Sequence, residues 1–130
     1  MMHKKSGYKT EAKKGEFQPF PVGASEIVLT SVTLSGLVPA DRVLLLLEIG
    51  WDKPLNWDMG ELDIRIRRNS AMGPVIYQMT EGCFFKAHTR TKYEESGQTG
   101  TVSYFLTVAS PELKARIVGP YGLEGAVYGA

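Results

Sequence analysis

Four carboxylates, Asp52, Asp58, Glu61 and Asp63, gather around Trp51 and Trp57. Carboxylates grouped in a loop hold calcium through their oxygens, and indole rings at a sheet rim stack on sugar rings. The spacing fits no EF-hand loop. Asp63 also falls within an alternating segment, where Arg65 or Arg67 is its natural cross-strand partner. Trp51, Trp57 and Asp58 are therefore the candidate ligand loop, of the kind a carbohydrate-binding, lectin-like module carries.

Other groups capable of chemistry are sparse. His3 lies in a basic, glycine-containing start, and His88 sits between Lys86 and Arg90 on an expected strand, so neither has a sequence partner that makes it a general base. Cys83 is the only cysteine, which excludes an internal disulfide and a paired-cysteine metal site. In the run Cys83-Phe84-Phe85 it reads as a small buried hydrophobe. No P-loop, dinucleotide fingerprint, nucleophile elbow or paired-histidine motif occurs. The expectation is a protein with no catalytic residues, no cofactor and no metal.

What must position these groups is a set of short strands. From Ser25 onward, β-rich runs are separated by turn residues about every 8–12 positions, the rhythm of an all-β sandwich or barrel. About eight strands are expected, over 27–34, 42–51, 61–68, 75–80, 83–89, 101–109, 115–118 and 123–128. Turns are expected at Pro39-Ala40-Asp41, Lys53-Pro54, 69–74, Glu81-Gly82, 96–100, Ser110-Pro111 and 119–122.

Leu62, Ile64 and Ile66 alternate with Glu61, Asp63, Arg65 and Arg67, which gives one core face and one wet face. The run Arg42 to Trp51 behaves differently. Val43, Leu45, Leu47, Ile49 and Trp51 share one face, yet Leu44 and Leu46 make the other apolar too. Val102, Tyr104, Leu106 and Val108 oppose Phe105 and Ala109 in the same way, and Leu123, Gly125 and Val127 oppose Ala126 and Tyr128. Apolar residues on an outer face form a patch of the kind that marks an interface. Leu44, Leu46, Phe105 and Tyr128 are the expected subunit-interface residues.

Residues 1–23 read as an extended amino-terminal arm, or connector, and residues 24–130 as the sandwich domain. The arm carries five Lys and two Glu in its first 16 residues, a charge of +3, against −2 for the remaining chain. Without arginine or regular aromatic interleaving, that charge argues for a solvated segment over a nucleic-acid partner. Tyr8, Phe17, Phe20 and Val22 are its candidate anchors, since buried aromatic residues dominate interface energetics. Prolines at 19 and 21 restrict this stretch to edge pairing. The longest unbroken aliphatic run, Val43 to Leu47, has five residues, far short of the roughly 20 needed to span a bilayer. No membrane partner is expected, and no Sec signal is visible in the numbered chain.

The order of these features resembles a known family. The segments Val43-Leu44-Leu45-Leu46-Leu47-Glu48-Ile49-Gly50-Trp51, 62–69, 102–108, Ile117-Val118-Gly119-Pro120 and 123–128 look like the jelly-roll domains of the C1q and tumour-necrosis-factor type. The variety most similar is the compact bacterial one at the ends of collagen-like spore-surface (exosporium) proteins and in endospore appendage fibre subunits. The resemblance covers roughly residues 25–130 and implies a jelly-roll β-sandwich that forms homotrimers, a bacterial cell or spore surface location, and a spore-surface anchor protein as a further partner. Two departures are the missing Gly-X-Y region and the missing cysteine-rich arm. They imply noncovalent assembly, with the arm docking into a neighbouring subunit to build a fibre. The alternatives are the lectin-like module above and a viral or phage trimeric fibre domain.

Overall fold

The computed structural model describes residues 3–53, 60–83 and 85–129. Among them are nine strands: β1 (His3–Ala12), β2 (Phe20–Val22), β3 (Ile27–Leu37), β4 (Arg42–Asp52), β5 (Gly60–Arg68), β6 (Val75–Cys83), β7 (Lys86–Ser96), β8 (Gly100–Ala109) and β9 (Ala115–Gly129). One sheet runs β1-β9-β4-β7 with β2 also on β9, and the other runs β3-β8-β5-β6. All described pairings are antiparallel.

The pairing is nested. The outermost strands β1 and β9 pair, then β3 with β8, then β4 with β7, and β5 with β6 at the centre. A long antiparallel ribbon folded in this order and rolled into two sheets is the jelly roll. The all-β expectation is thus met as a two-sheet jelly-roll sandwich.

The core settles which face of each strand points inward. Val43, Leu45, Leu47, Ile49 and Trp51 of β4 are buried, as are Leu62, Ile64 and Ile66 of β5 and Val102, Tyr104, Leu106 and Val108 of β8. Leu123 and Val127 of β9 join them, and a Cβ on Gly125 would meet the Leu34 and Val32 side chains, so Gly125 gives β3 room to close on β9.

Three sequence expectations are corrected. Gly119 to Gly122 is not a turn: β9 runs through it as one strand of 15 residues, bulged against β4 where Ile49 faces Tyr121 and Trp51 faces Ile117. Gly119 has φ +88°, and a Cβ on Gly50 would lie 2.2 Å from the Gly119 carbonyl oxygen. Two glycines let the backbones meet there, so Gly-Pro makes a bulge in place of a turn. Glu81-Gly82 is not a turn either, because both residues pair with Leu62 and Glu61 of β5. Residues 83–89 consequently do not form one strand: β6 ends at Cys83 and β7 starts at Lys86.

Candidate functional site

The arm residues lie on the edge of the five-stranded sheet. β1 pairs with β9 from His3 opposite Gly129 to Ala12 opposite Tyr121, with a bulge between Lys4 and Ser6. β2 follows on the same strand, with Phe20 opposite Ile117 and Val22 opposite Ala115. Val22 is part of the core. Phe17 meets Tyr121 edge-on with ring centres 5.2 Å apart and lies 5.8 Å from Phe20, and a Cβ on Gly119 would lie 2.9 Å from the Phe17 ring. Phe17, Phe20 and Val22 thus fasten to the sandwich of their own chain. Tyr8, 56% exposed, does not.

Most of β1 is exposed, and its polar fastenings are few. The Lys5 ammonium donates to both Asp41 oxygens, at 3.0 and 2.9 Å, and the Val38 amide donates to the same carboxylate at 3.0 Å. These bonds, the Lys5 bond foremost, hold the Asp41 carboxyl below its ordinary value. Farther along, the Thr10 and Thr30 hydroxyls are 2.6 Å apart and tie β1 to β3.

Of the four expected interface residues the structure brings three together. Leu44, Leu46 and Tyr128 stand on the outer face of the five-stranded sheet, where Leu44 is opposite Ala126, Leu46 opposite Glu124 and Tyr128 opposite Arg42. Phe105 is on the other sheet, opposite Ser31 and Arg67, because β8 pairs with β3 and β5, and it faces outward there because its neighbours Tyr104 and Leu106 fill the core. Leu46, 39% exposed, forms the floor of a groove rimmed by Lys9, Glu48, Arg90, Lys92 and Glu124. Burial pushes the Glu48 carboxyl up, but hydrogen bonds from Arg90 and His88 outweigh it and bring it below its usual value.

Of the candidate ligand-loop residues, only Trp51 lies among the described ones. Trp51 is fully buried and donates its indole N–H to Thr89 Oγ1 at 3.3 Å, so its faces cannot stack on a sugar. Its position on the inner face of β4 is the physical reason. Trp57 and Asp58 lie outside the described residues. Asp52 is paired with Arg116 at 2.8 Å and Asp63 with Arg65 at 2.9 Å. Asp63 also accepts from Gln78 at 3.1 Å. Among the described residues no three His, Cys, Asp or Glu side chains are placed to share a metal. His3 is exposed on β1 and His88 on β7 faces Glu48. Cys83 is half-buried against the core, where burial pushes its thiol up.

Two ionic clusters had no signal in the sequence beyond the alternation that sends Arg65 and Arg67 outward; Arg68, at the end of β5, shares the inner face with Ile66 and stands opposite Tyr104. Glu26 accepts from Arg65 at 3.1 Å and from Arg67 at 2.6 and 2.9 Å. Glu95 accepts from Arg68 and from the Tyr104 hydroxyl, each at 2.6 Å. Burial, followed by the bond to Glu95, pushes the Tyr104 hydroxyl well above its ordinary value.

No family model matches the chain, and no curated protein matches its sequence. A solved structure of Bacillus endospore appendages, described as a novel family of disulfide-linked pili, is similar over 98% of this chain and 90% of that one, at 9% identity and a TM-score of 0.43. Dimeric latent PorU from Porphyromonas gingivalis is similar over 95% of this chain and 13% of that one, at 7% identity and a TM-score of 0.46. The VP2 subviral particle of infectious bursal disease virus is similar over 96% of this chain and 41% of that one, at 9% identity and a TM-score of 0.36. At such identities and scores none of these bears on what this chain does.

Proposed function

We propose that this chain is a self-assembling structural subunit whose amino-terminal strand docks on β9 of a neighbouring copy, building a fibre from units that associate sideways through the Leu44, Leu46 and Tyr128 face. The observation that carries this reading is the state of β1. It is an edge strand, the first in chain order among the described residues, joined to β9 by backbone pairing, with nearly all its side chains in solvent. Seven residues, 13–19, separate it from β2. A strand of this kind can leave its own β9 and pair identically with the β9 of another copy, since the ladder formed is the same as the ladder lost. Exchange in one direction does not close on itself and continues as a filament.

Homotrimers, a bacterial spore-surface location and an anchor protein are the finer parts of this reading; they rest on the family resemblance. The lectin-like alternative is weakened by the burial of Trp51.

The test removes residues 1–12 and compares the two proteins by sedimentation and negative-stain microscopy. The full chain is expected to form elongated assemblies, and the shortened one only compact species with the same β circular dichroism. Fibres from the shortened chain would overturn the proposal.

A further inference from the structure

The sequence His-Lys-Lys-Ser-Gly-Tyr-Lys-Thr-Glu-Ala of β1 poses a problem of register. Register in a sheet is ordinarily fixed by burying one alternating face, and a strand without that alternation slips readily. Eight of the ten β1 residues are exposed, so burial does not decide where this strand sits on β9.

The polar contacts do decide it. Lys5 falls at the bulge between Lys4 and Ser6 and has no partner across the ladder. Its ammonium reaches Asp41 in the turn between β3 and β4 and takes both carboxylate oxygens. Asp41 is only 3% exposed, and its other hydrogen bond comes from the Val38 amide. A carboxylate so covered is costly without a cation. The Lys5 stem crosses Gly129, where a Cβ would lie 2.7 Å from Lys5 Cδ, so a glycine keeps the passage open. At the far end a Cβ on Gly122 would lie 2.6 Å from the Thr10 carbonyl oxygen, and Thr10 meets Thr30. A slip by one residue brings Lys4 or Ser6 to Asp41 on the opposite side of the pleat and separates Thr10 from Thr30. By contrast Lys9, exposed, pairs with Glu11 on its own strand and stands opposite Glu124, and it covers no buried carboxylate.

We infer that Asp41, with the Val38 amide beside it, is a lysine socket that determines the register in which an arm strand docks on β9. This rests on the assembly reading for its occupant: in a fibre, Lys5 of a second copy fills the socket.

The test uses full-length Lys5→Glu, Asp41→Lys, and, as a control, Lys9→Gln, which removes a β1 ammonium without setting a carboxylate opposite Glu124. Amide hydrogen exchange of residues 6–12 is measured alongside sedimentation. Lys5→Glu is expected to speed exchange across β1 by roughly tenfold or more while β5 and β8 keep their protection; Lys9→Gln leaves β1 exchange within about twofold of the parent. Neither charge variant assembles alone. Mixed in equal amounts they co-assemble, because the carboxylate introduced into the arm of one variant meets the ammonium introduced into the socket of the other, and the remaining arm and socket are native. Unchanged β1 exchange in Lys5→Glu overturns the socket, whatever the assembly state. Assembly of Lys5→Glu alone, as long as that of the unaltered chain, overturns it as well. A full-length protein that stays monomeric refutes the assembly reading instead, and β1 exchange in that monomer still tests the socket within one chain. Since Lys5 lies on an exposed edge strand, its replacement leaves the core untouched.

Discussion

Replacing Glu26 by Gln is expected to make the sandwich less stable at neutral pH and to make the deficit vanish in acid. Glu26 stands just before β3 and accepts three hydrogen bonds from Arg65 and Arg67 of β5. The Arg67 bonds, the larger influence, outweigh burial and hold its carboxyl at about 2, against an ordinary 4.5. The unfolded chain therefore binds this proton more readily than the folded one. The stability gained is complete above the ordinary value of 4.5 and disappears as the pH falls from there through about 2. At about 1.4 kcal/mol per tenfold change in proton affinity, the full displacement is worth roughly 3 kcal/mol. The Glu26 side chain is 22% exposed, and solvent screening brings the expected value to about 1–2 kcal/mol. Urea unfolding, followed by the fluorescence of buried Trp51, measures it. The parent and Glu26→Gln should differ by that amount at pH 7 and converge to within about 0.5 kcal/mol at pH 2. The other carboxylates are common to both proteins and cancel in the difference. A gap that persists unchanged to pH 2, or no gap at pH 7, refutes the reasoning.

Leu46→Asp, on the floor of the outer groove, is expected to leave unfolding within about 1 kcal/mol of the parent while abolishing sideways association. Sedimentation mass checks this, and an unchanged oligomer mass means that the face has been misassigned. Gly50→Ala is expected to cost more than about 2 kcal/mol, since its Cβ would lie 2.2 Å from a backbone oxygen that no rotamer change relieves. The denaturation midpoint reads the cost, and a midpoint equal to the parent's refutes the bulge geometry.

How much of this is legible in the sequence depends on how far apart the deciding residues lie. The β5 alternation carries its own answer, because Leu62, Ile64 and Ile66 all go to the core. On β4 both faces are apolar, so only the sandwich decides that Trp51 points in and Leu46 out. That decision removes one of the two tryptophans from the ligand loop, and the pairing of β8 with β3 and β5 puts Phe105 on a different sheet from Leu46. At Gly119-Pro120 local chemistry favours a turn. Gly50, about 70 residues earlier, supplies the space that makes it a bulge instead.

The arm shows the same limit most clearly. Nothing in residues 3–12 taken alone marks a strand, as their apolar content is Tyr8 and Ala12. The partner that makes them one is β9, more than 100 residues on, which lies between β4 on one side and β1 and β2 on the other. Val22 and Phe20 are held there by the core, and β1 by a ladder and the Lys5–Asp41 contact. The two halves of the arm therefore differ in what removing them costs. Withdrawing β2 uncovers core side chains, whereas withdrawing β1 uncovers chiefly backbone groups and one carboxylate. A backbone edge is satisfied equally well by the same strand from another copy. On the proposed exchange, the division between the exchangeable and the anchored parts of the arm thus falls in residues 13–16, ahead of Phe17, and not at the edge of the sandwich near residue 23.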